Sequence, residues 1–183
     1  HVFKDRSHYG QPTRGDTSLV DYYGRLYGHD YAELRFDIPP GFLDKLVIGP
    51  SFCMAPRLLP QFFDQPEVRK LPPRFDIQAR LAVKGIDWYQ SMRTQAVGAI
   101  DALDQYSVLS RNGIKQRQYM RELRESRLCF SPFGYGEVCW RDYEAVLSGA
   151  LLIKPDMSHI ETAPDIFRAH ETYVPVAWDF SDL

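Results

Sequence analysis

The chain has 183 residues, enough for one domain and part of a second, with 44% hydrophobic and 25% charged residues. Those proportions belong to ordinary globular proteins and do not separate an enzyme from a binding module. A net charge of −2 excludes a general electrostatic attraction to nucleic acid or to an anionic membrane, and no apolar run reaches the roughly 18 residues that an integral membrane segment needs. Aromatic residues make up 14%, with eleven Tyr and eleven Phe. Core packing is their first use, ahead of walls for carbohydrate or bases. The cysteines are Cys53, Cys129 and Cys139. An odd, sparse set reads as reduced core thiols of a cytoplasmic protein rather than as a disulfide framework. There is no signal-like start, and His1 in place of Met points to a fragment or a processed chain.

Residues 1 to 73 read irregularly. Gly10, Pro12 and Gly15 break the first stretch, Ser18 to Tyr27 is weakly helical, and Pro39-Pro40-Gly41 is a turn. Lys45 to Gly49 predicts a short strand. Pro60, Pro66 and Pro72-Pro73 then punctuate a linker-like stretch. From Arg74 the pattern becomes regular. Phe75, Ile77 and Ala79 alternate with polar residues, as in a strand. Ala82 to Ile86 form a loop with Gly85 as its flexible point, and Asp87 is a helix N-cap. Behind it Tyr89, Met92, Ala96, Ile100 and Leu103 make one apolar helix face. Tyr106 to Leu109 predicts a short strand. Ile114 to Glu125 predicts an amphipathic helix with Tyr119, Met120 and Leu123 inward. Leu128 to Ser131 is a strand, Cys139 to Ser148 a helix stopped by Gly149, Ala150 to Ile153 a buried strand and Tyr173 to Val176 another. Asp179 reads as the N-cap of a helix that is not completed. Alternation of strand and helix predicts an α/β fold with a Rossmann-like, doubly wound parallel sheet over residues 74 to 183. In such sheets ligands bind beyond the carboxyl ends of the strands, which singles out the loops Arg80 to Asp87 and Pro132 to Val138.

The stretch from Ser126 to Pro155 carries the chemistry: strand, glycine-containing loop, helix, glycine stop, strand. Gly134 and Gly136 would let the backbone approach a ligand without interference from Cβ, and the free N–H groups and positive dipole end of the following helix suit phosphate. At about 100° per residue Glu137, Arg141, Glu144 and Ser148 fall within roughly 60° of each other, with Cys139, Tyr143, Val146 and Leu147 opposite. A carboxylate can accept both hydroxyls of a ribose, and an arginine suits a diphosphate. A stripe of Glu, Arg, Glu and Ser equally describes a solvated helix face, and spacing alone leaves both open.

The same residues carry a resemblance. Ser131-Pro132-Phe133-Gly134, Arg141, Tyr143-Glu144-Ala145 and Ser148-Gly149, running into Ala150 to Ile153, are similar to the donor-binding signature of two-lobed (GT-B) glycosyltransferases, especially the exostosin-like and spore-maturation-type groups. The likeness is close over Ser126 to Pro155 and looser from Arg74 to Leu183. It implies that residues 74–183 form a nucleotide-sugar donor-binding domain, incomplete at its C-terminus, and that 1–73 are the tail of an acceptor lobe plus the interlobe linker. It implies a metal-independent glycosyltransferase that moves a sugar from a nucleotide diphosphate donor to an acceptor the sequence does not name (saccharide, lipid or protein), with no separate cofactor. Glu144 would hold the donor ribose and Arg141 would face the pyrophosphate. Many GT-B enzymes place two glutamates eight residues apart. Here Glu137 and Glu144 are seven apart, Gly136 takes the earlier position, and Glu137 is left to cap the helix N-terminus. Arg80-Leu81 and Lys84-Gly85 resemble the arginine and lysine that neutralise the leaving diphosphate in some retaining GT-B families.

Other devices are missing from the sequence. There is no Asp-x-Asp. His1, His8, His29, His159 and His170 show no metal-ligand spacing, and His159 reads as a surface loop residue. No nucleophile-elbow or Walker motif occurs, and no residue is marked as the catalytic base. The competing expectations are a nucleotide- or sugar-binding module without turnover, and an assembly protein that kept the fold and lost the site.

Overall fold

The structure is a computed structural model and describes residues 2–5, 18–29, 31, 39, 41–49, 72–110 and 113–183. The breaks expected at Gly10, Pro12, Gly15, Pro40, Pro60 and Pro66, and residues Cys53, His1 and His8, lie outside the described residues. The elements follow in chain order: β1 (Val2–Phe3), α1 (Leu19–Leu26), a single 3-10 turn (Leu43–Lys45), β2 (Phe75–Gln78), α2 (Asp87–Asp101), β3 (Val108–Leu109), α3 (Gln116–Arg124), β4 (Ser126–Phe130), α4 (Trp140–Ser148), β5 (Leu151–Pro155), β6 (Ile160–Glu161) and β7 (Tyr173–Val176).

Five strands form one parallel sheet in the order β3-β2-β4-β5-β7, and β1 pairs antiparallel with β6 beside it. The expected Rossmann-like α/β sheet is therefore present. Its order fixes where the helices lie. From β2 the chain steps outward to β3, then returns across β2 to β4 and continues to β5 and β7. Right-handed crossovers on steps of opposite direction put their helices on opposite faces, so α2 covers one face while α3 and α4 share the other. The packing agrees: α1 packs on α2, and α3 packs on α4. The reversal of winding leaves a crevice at the carboxyl ends of β2 and β4.

The core joins both layers. Met92, Ala96 and Ile100 recur on α2 at helical spacing and are buried with Ile77 and Ala79 from β2, Cys129 and Phe130 from β4 and Leu152 and Ile153 from β5. Burial on both faces is what parallel strands require. Leu19 and Tyr23 of α1 belong to the same core, and the Tyr23 hydroxyl donates to the Trp178 carbonyl at 2.8 Å. α4 ends as its glycine predicted. Gly149 is left-handed at φ 70°, its N–H bonds to the Val146 carbonyl, and the Ala150 N–H reaches the Ala145 carbonyl, which together make a Schellman turn.

Three local expectations differ. Lys45 to Gly49 is not a strand: Lys45 ends the 3-10 turn, the following residues have no regular structure, and Val47 is 87% exposed. Asp87 is the first helical residue rather than the cap. It takes φ 52°, and extended Ile86 precedes it; an aspartate tolerates that left-handed geometry better than most side chains. Val146, which the helix spacing sets opposite the polar stripe, is exposed, whereas Asp142 and Glu144 are buried. Among the described residues no helix is long and apolar enough to cross a membrane.

Candidate functional site

At the crevice between β2 and β4 the structure has an open cleft of about 350 Å³, lined by Arg80, Ala82, Arg93, Gln116, Tyr119, Cys139, Trp140, Arg141 and Glu144. Each side chain arrives on a defined element. Arg80 and Ala82 follow the carboxyl end of β2, Arg93 comes from α2, Gln116 and Tyr119 from the first turns of α3, and Cys139 to Glu144 from the start of α4.

The charges are unequally compensated. Arg80 presents its fork to Glu122 of α3, donating from Nε to Oε2 at 2.9 Å and from Nη2 to Oε1 at 3.1 Å. Gln118 also donates to this carboxylate, at 2.8 Å. Burial alone would raise the carboxyl of Glu122, but the hydrogen bonds from Arg80 and Gln118 outweigh it and hold it below its ordinary 4.5. Arg80 is thus anchored, and its backbone carbonyl accepts from Arg141 Nη2 at 2.8 Å. Glu144 accepts from the Tyr119 hydroxyl at 3.0 Å, and Tyr119 is in turn coupled to Arg141. The Tyr119 hydroxyl is pushed above its ordinary value, first by burial, and stays a protonated donor.

Arg93 and Arg141 are the groups left in want of an anion. The Nε atoms of both are buried without a hydrogen-bond partner. The affinity of Arg93 for its proton is lowered, first by burial and then by the Arg141 charge. Arg141, by contrast, is held charged against its burial, chiefly by Tyr119, and two guanidinium groups lining one cleft suit a polyanion. The lining holds three arginines against one carboxylate, Glu144.

The floor under this site was not visible in the sequence. Asp142 and Lys154 are both fully buried and pair at 3.1 Å. Asp142 Oδ1 accepts from the Ser131 hydroxyl at 2.6 Å and Oδ2 from the Cys139 N–H at 2.8 Å. Asp142 therefore ties the end of β4 to the cap of α4 and to β5 at once. It also meets the first turn of α4, a role left to Glu137 by sequence. Glu137 instead lies 3.8 Å from His159 Nε2. His159 is not a surface residue: its side chain is 14% exposed and stands edge-on to the Trp178 ring at 5.0 Å.

Of the residues singled out by sequence, Arg80, Arg141 and Glu144 converge on the cleft. Gly134, Gly136, Glu137 and Lys84 are not among its lining, and Lys84 is exposed on the preceding loop. Gly134 and Gly136 instead shape the loop over the site: the Gly134 N–H bonds to the Gly136 carbonyl at 3.0 Å, and a Cβ on Gly136 would meet open space. Arg93, Gln116 and Trp140 are lining residues that sequence reasoning missed, and Tyr119 was read only as inward-facing. The two free thiols of the described residues, Cys129 and Cys139, are poor nucleophiles, because burial pushes Cys129 up to about 12 and raises Cys139 as well.

Neither the protein-family models nor the curated proteins contain a match to this sequence. The chemistry of the cleft has to be read from its own side chains. It can hold a ligand with two or more negative charges against Arg93 and Arg141. At Glu144 it offers a buried carboxylate, an acceptor for hydroxyl groups such as that of Tyr119. Among the described residues no group of three or more His, Cys, Asp or Glu is placed to hold a metal ion.

Proposed function

We propose that this cleft binds a nucleoside diphosphate sugar, and that the protein is the donor-binding half of a glycosyltransferase of the two-lobed kind. Residues 74–183 would be the donor domain, and 1–73 would contribute the linker and part of the acceptor side. The observation that carries the proposal is the pair of buried guanidinium groups with unpartnered Nε atoms, Arg93 and Arg141, at the switch point of a parallel sheet and one helical turn from the buried carboxylate of Glu144. A diphosphate satisfies the two arginines, and the ribose hydroxyls would donate to Glu144. The resemblance of Ser131 to Gly149 to the GT-B donor signature assigns the same roles to Arg141 and Glu144. In the transfer step the bond between the sugar and the diphosphate would break as the sugar bonds to the acceptor, and negative charge would grow on the departing diphosphate. Arg141 and Arg93 would stabilise that charge more strongly than in the ground state.

The test is a nucleotide-release assay in EDTA with UDP-, GDP- and ADP-linked sugars, paired with a binding titration that follows quenching of Trp140 in the cleft. Saturable quenching by at least one donor, with slow release of its nucleoside diphosphate, is expected. Binding without release, in the presence of an acceptor lobe and acceptor, would reassign the protein as a non-catalytic binding module. Absence of binding to all three would end the proposal.

A further inference from the structure

Two loops lead from the sheet to the cleft, and an aromatic stack joins them. Tyr135, between Gly134 and Gly136, lies on the ring of Tyr89 from the first turn of α2, with centroids 4.0 Å apart and planes 22° apart. Tyr135 is 68% exposed, so the ring held by Tyr89 is open to solvent. Trp88 stands edge-on to Tyr135 at 6.4 Å. The Arg93 guanidinium sits 5.2 Å from the Tyr89 ring centroid, so the stack adjoins the anion-binding end of the cleft. Gly85 is shaped to this arrangement. A Cβ there would lie 2.6 Å from Tyr89 and 2.7 Å from the Tyr135 hydroxyl, and its φ of +120° disfavours other residues.

The order of groups gives the stack a direction. Glu144 lies one turn further along α4 than Arg141, about 4.5 Å at 1.5 Å per residue, and Tyr135 lies beyond the amino end of that helix. Glu144 meets Tyr119, Arg141 and Arg93 line the same cleft, and Arg93 lies against Tyr89, which carries Tyr135. A ligand with its ribose at Glu144 and its diphosphate at the two arginines has its sugar at the tyrosines.

Resting on the nucleotide-sugar reading above, we propose that Tyr135, held by Tyr89, is the platform for the donor's sugar ring. A pyranose has an apolar C–H face that packs on an aromatic ring. The platform belongs to the sugar and not to the base or the diphosphate.

The test is calorimetric titration with UDP, GDP and ADP and with UDP-glucose, GDP-mannose and ADP-glucose. Tyr135→Ala is expected to leave affinity for the free diphosphate within about twofold and to weaken the matching sugar conjugate roughly 3- to 12-fold. Tyr135→Phe keeps the ring and should keep most of the affinity. Gly85→Ala, which displaces the stack while leaving both rings in the chain, should reproduce the loss. Equal losses for diphosphate and conjugate, or no loss for either, would overturn the platform while leaving the diphosphate site standing. A wild-type chain that binds none of the three diphosphates would remove both proposals together.

Discussion

At the scale of single residues, the tension in the cleft is the informative feature. Arg93 is buried, is disfavoured in its charged form by burial and by Arg141, and has an unpartnered Nε. Arg93→Met is therefore expected to change unfolding free energy by no more than about 1 kcal/mol, because the lost contact with Tyr89 is offset by removing a buried charge that burial and Arg141 disfavour. The same change should weaken nucleoside diphosphate binding about tenfold or more. Urea unfolding alongside a binding titration checks both halves, and a large loss of stability with unchanged binding would make Arg93 structural. Arg141 and Glu144 were legible in the sequence because they fall on one helix face in a patterned segment. Arg93 was not, because it sits beside Met92 in a helix whose inward face was defined by its apolar residues. Tyr119 was read correctly as inward, but its hydrogen-bond partner is 25 residues away and no local pattern records that.

At the scale of elements, the site rests on two charged fastenings. Asp142 joins α4 to β4 and β5 through Lys154, Ser131 and the Cys139 N–H, with both charged partners fully buried. Removing one partner leaves an uncompensated buried charge, so Asp142→Ala or Lys154→Met should each cost about 3–5 kcal/mol. The double replacement should cost less than the sum of the two, since it leaves no orphan. Additive losses in urea unfolding would mean that the pair is not coupled. The second fastening is Arg80 to Glu122, between the end of β2 and α3. Glu122 has its carboxyl held below the ordinary 4.5. Its contribution to stability is therefore fully present above about pH 4.5 and is lost as the pH falls through the lower, folded-state value. Glu122→Gln should flatten that part of the acid limb of thermal stability measured between pH 5 and 3, and an unchanged acid limb would count against it.

The elements themselves were largely readable. The glycine stop at Gly149 and the spacing of Met92, Ala96 and Ile100 are local signals, and α4 and α2 form where they indicate. The run Lys45 to Gly49 has the composition of a strand, but a strand also needs a neighbour for its hydrogen bonds, and no partner strand is present among the described residues. The Asp142–Lys154 pair was hidden because lysine and aspartate in a sequence read as surface unless their partner is known.

At the scale of the molecule, alternation of strand and helix foretold a parallel sheet but not its order. Order is decided by which strands pair across long sequence separations, here β2 with β4 as well as with β3. That choice creates the switch point, and the switch point brings Arg80 from one loop to Arg141 and Glu144 from the other. Residues 61 positions apart in the chain thereby share one hydrogen bond, from Arg141 to the Arg80 carbonyl. The participation of α1 in the core also shows that the irregular first part of the sequence contributes packing. The central claim is that this crevice holds a nucleoside diphosphate with its ribose on Glu144. Calorimetric titration of the wild type and Glu144→Gln with UDP, GDP and ADP tests it most directly. The glutamine keeps an acceptor for the Tyr119 hydroxyl, so the fold should be undisturbed. The account predicts that the best nucleotide binds about 5- to 150-fold more weakly to the variant, the effect of losing hydrogen bonds to a charged group. Equal affinities in the two proteins would contradict it.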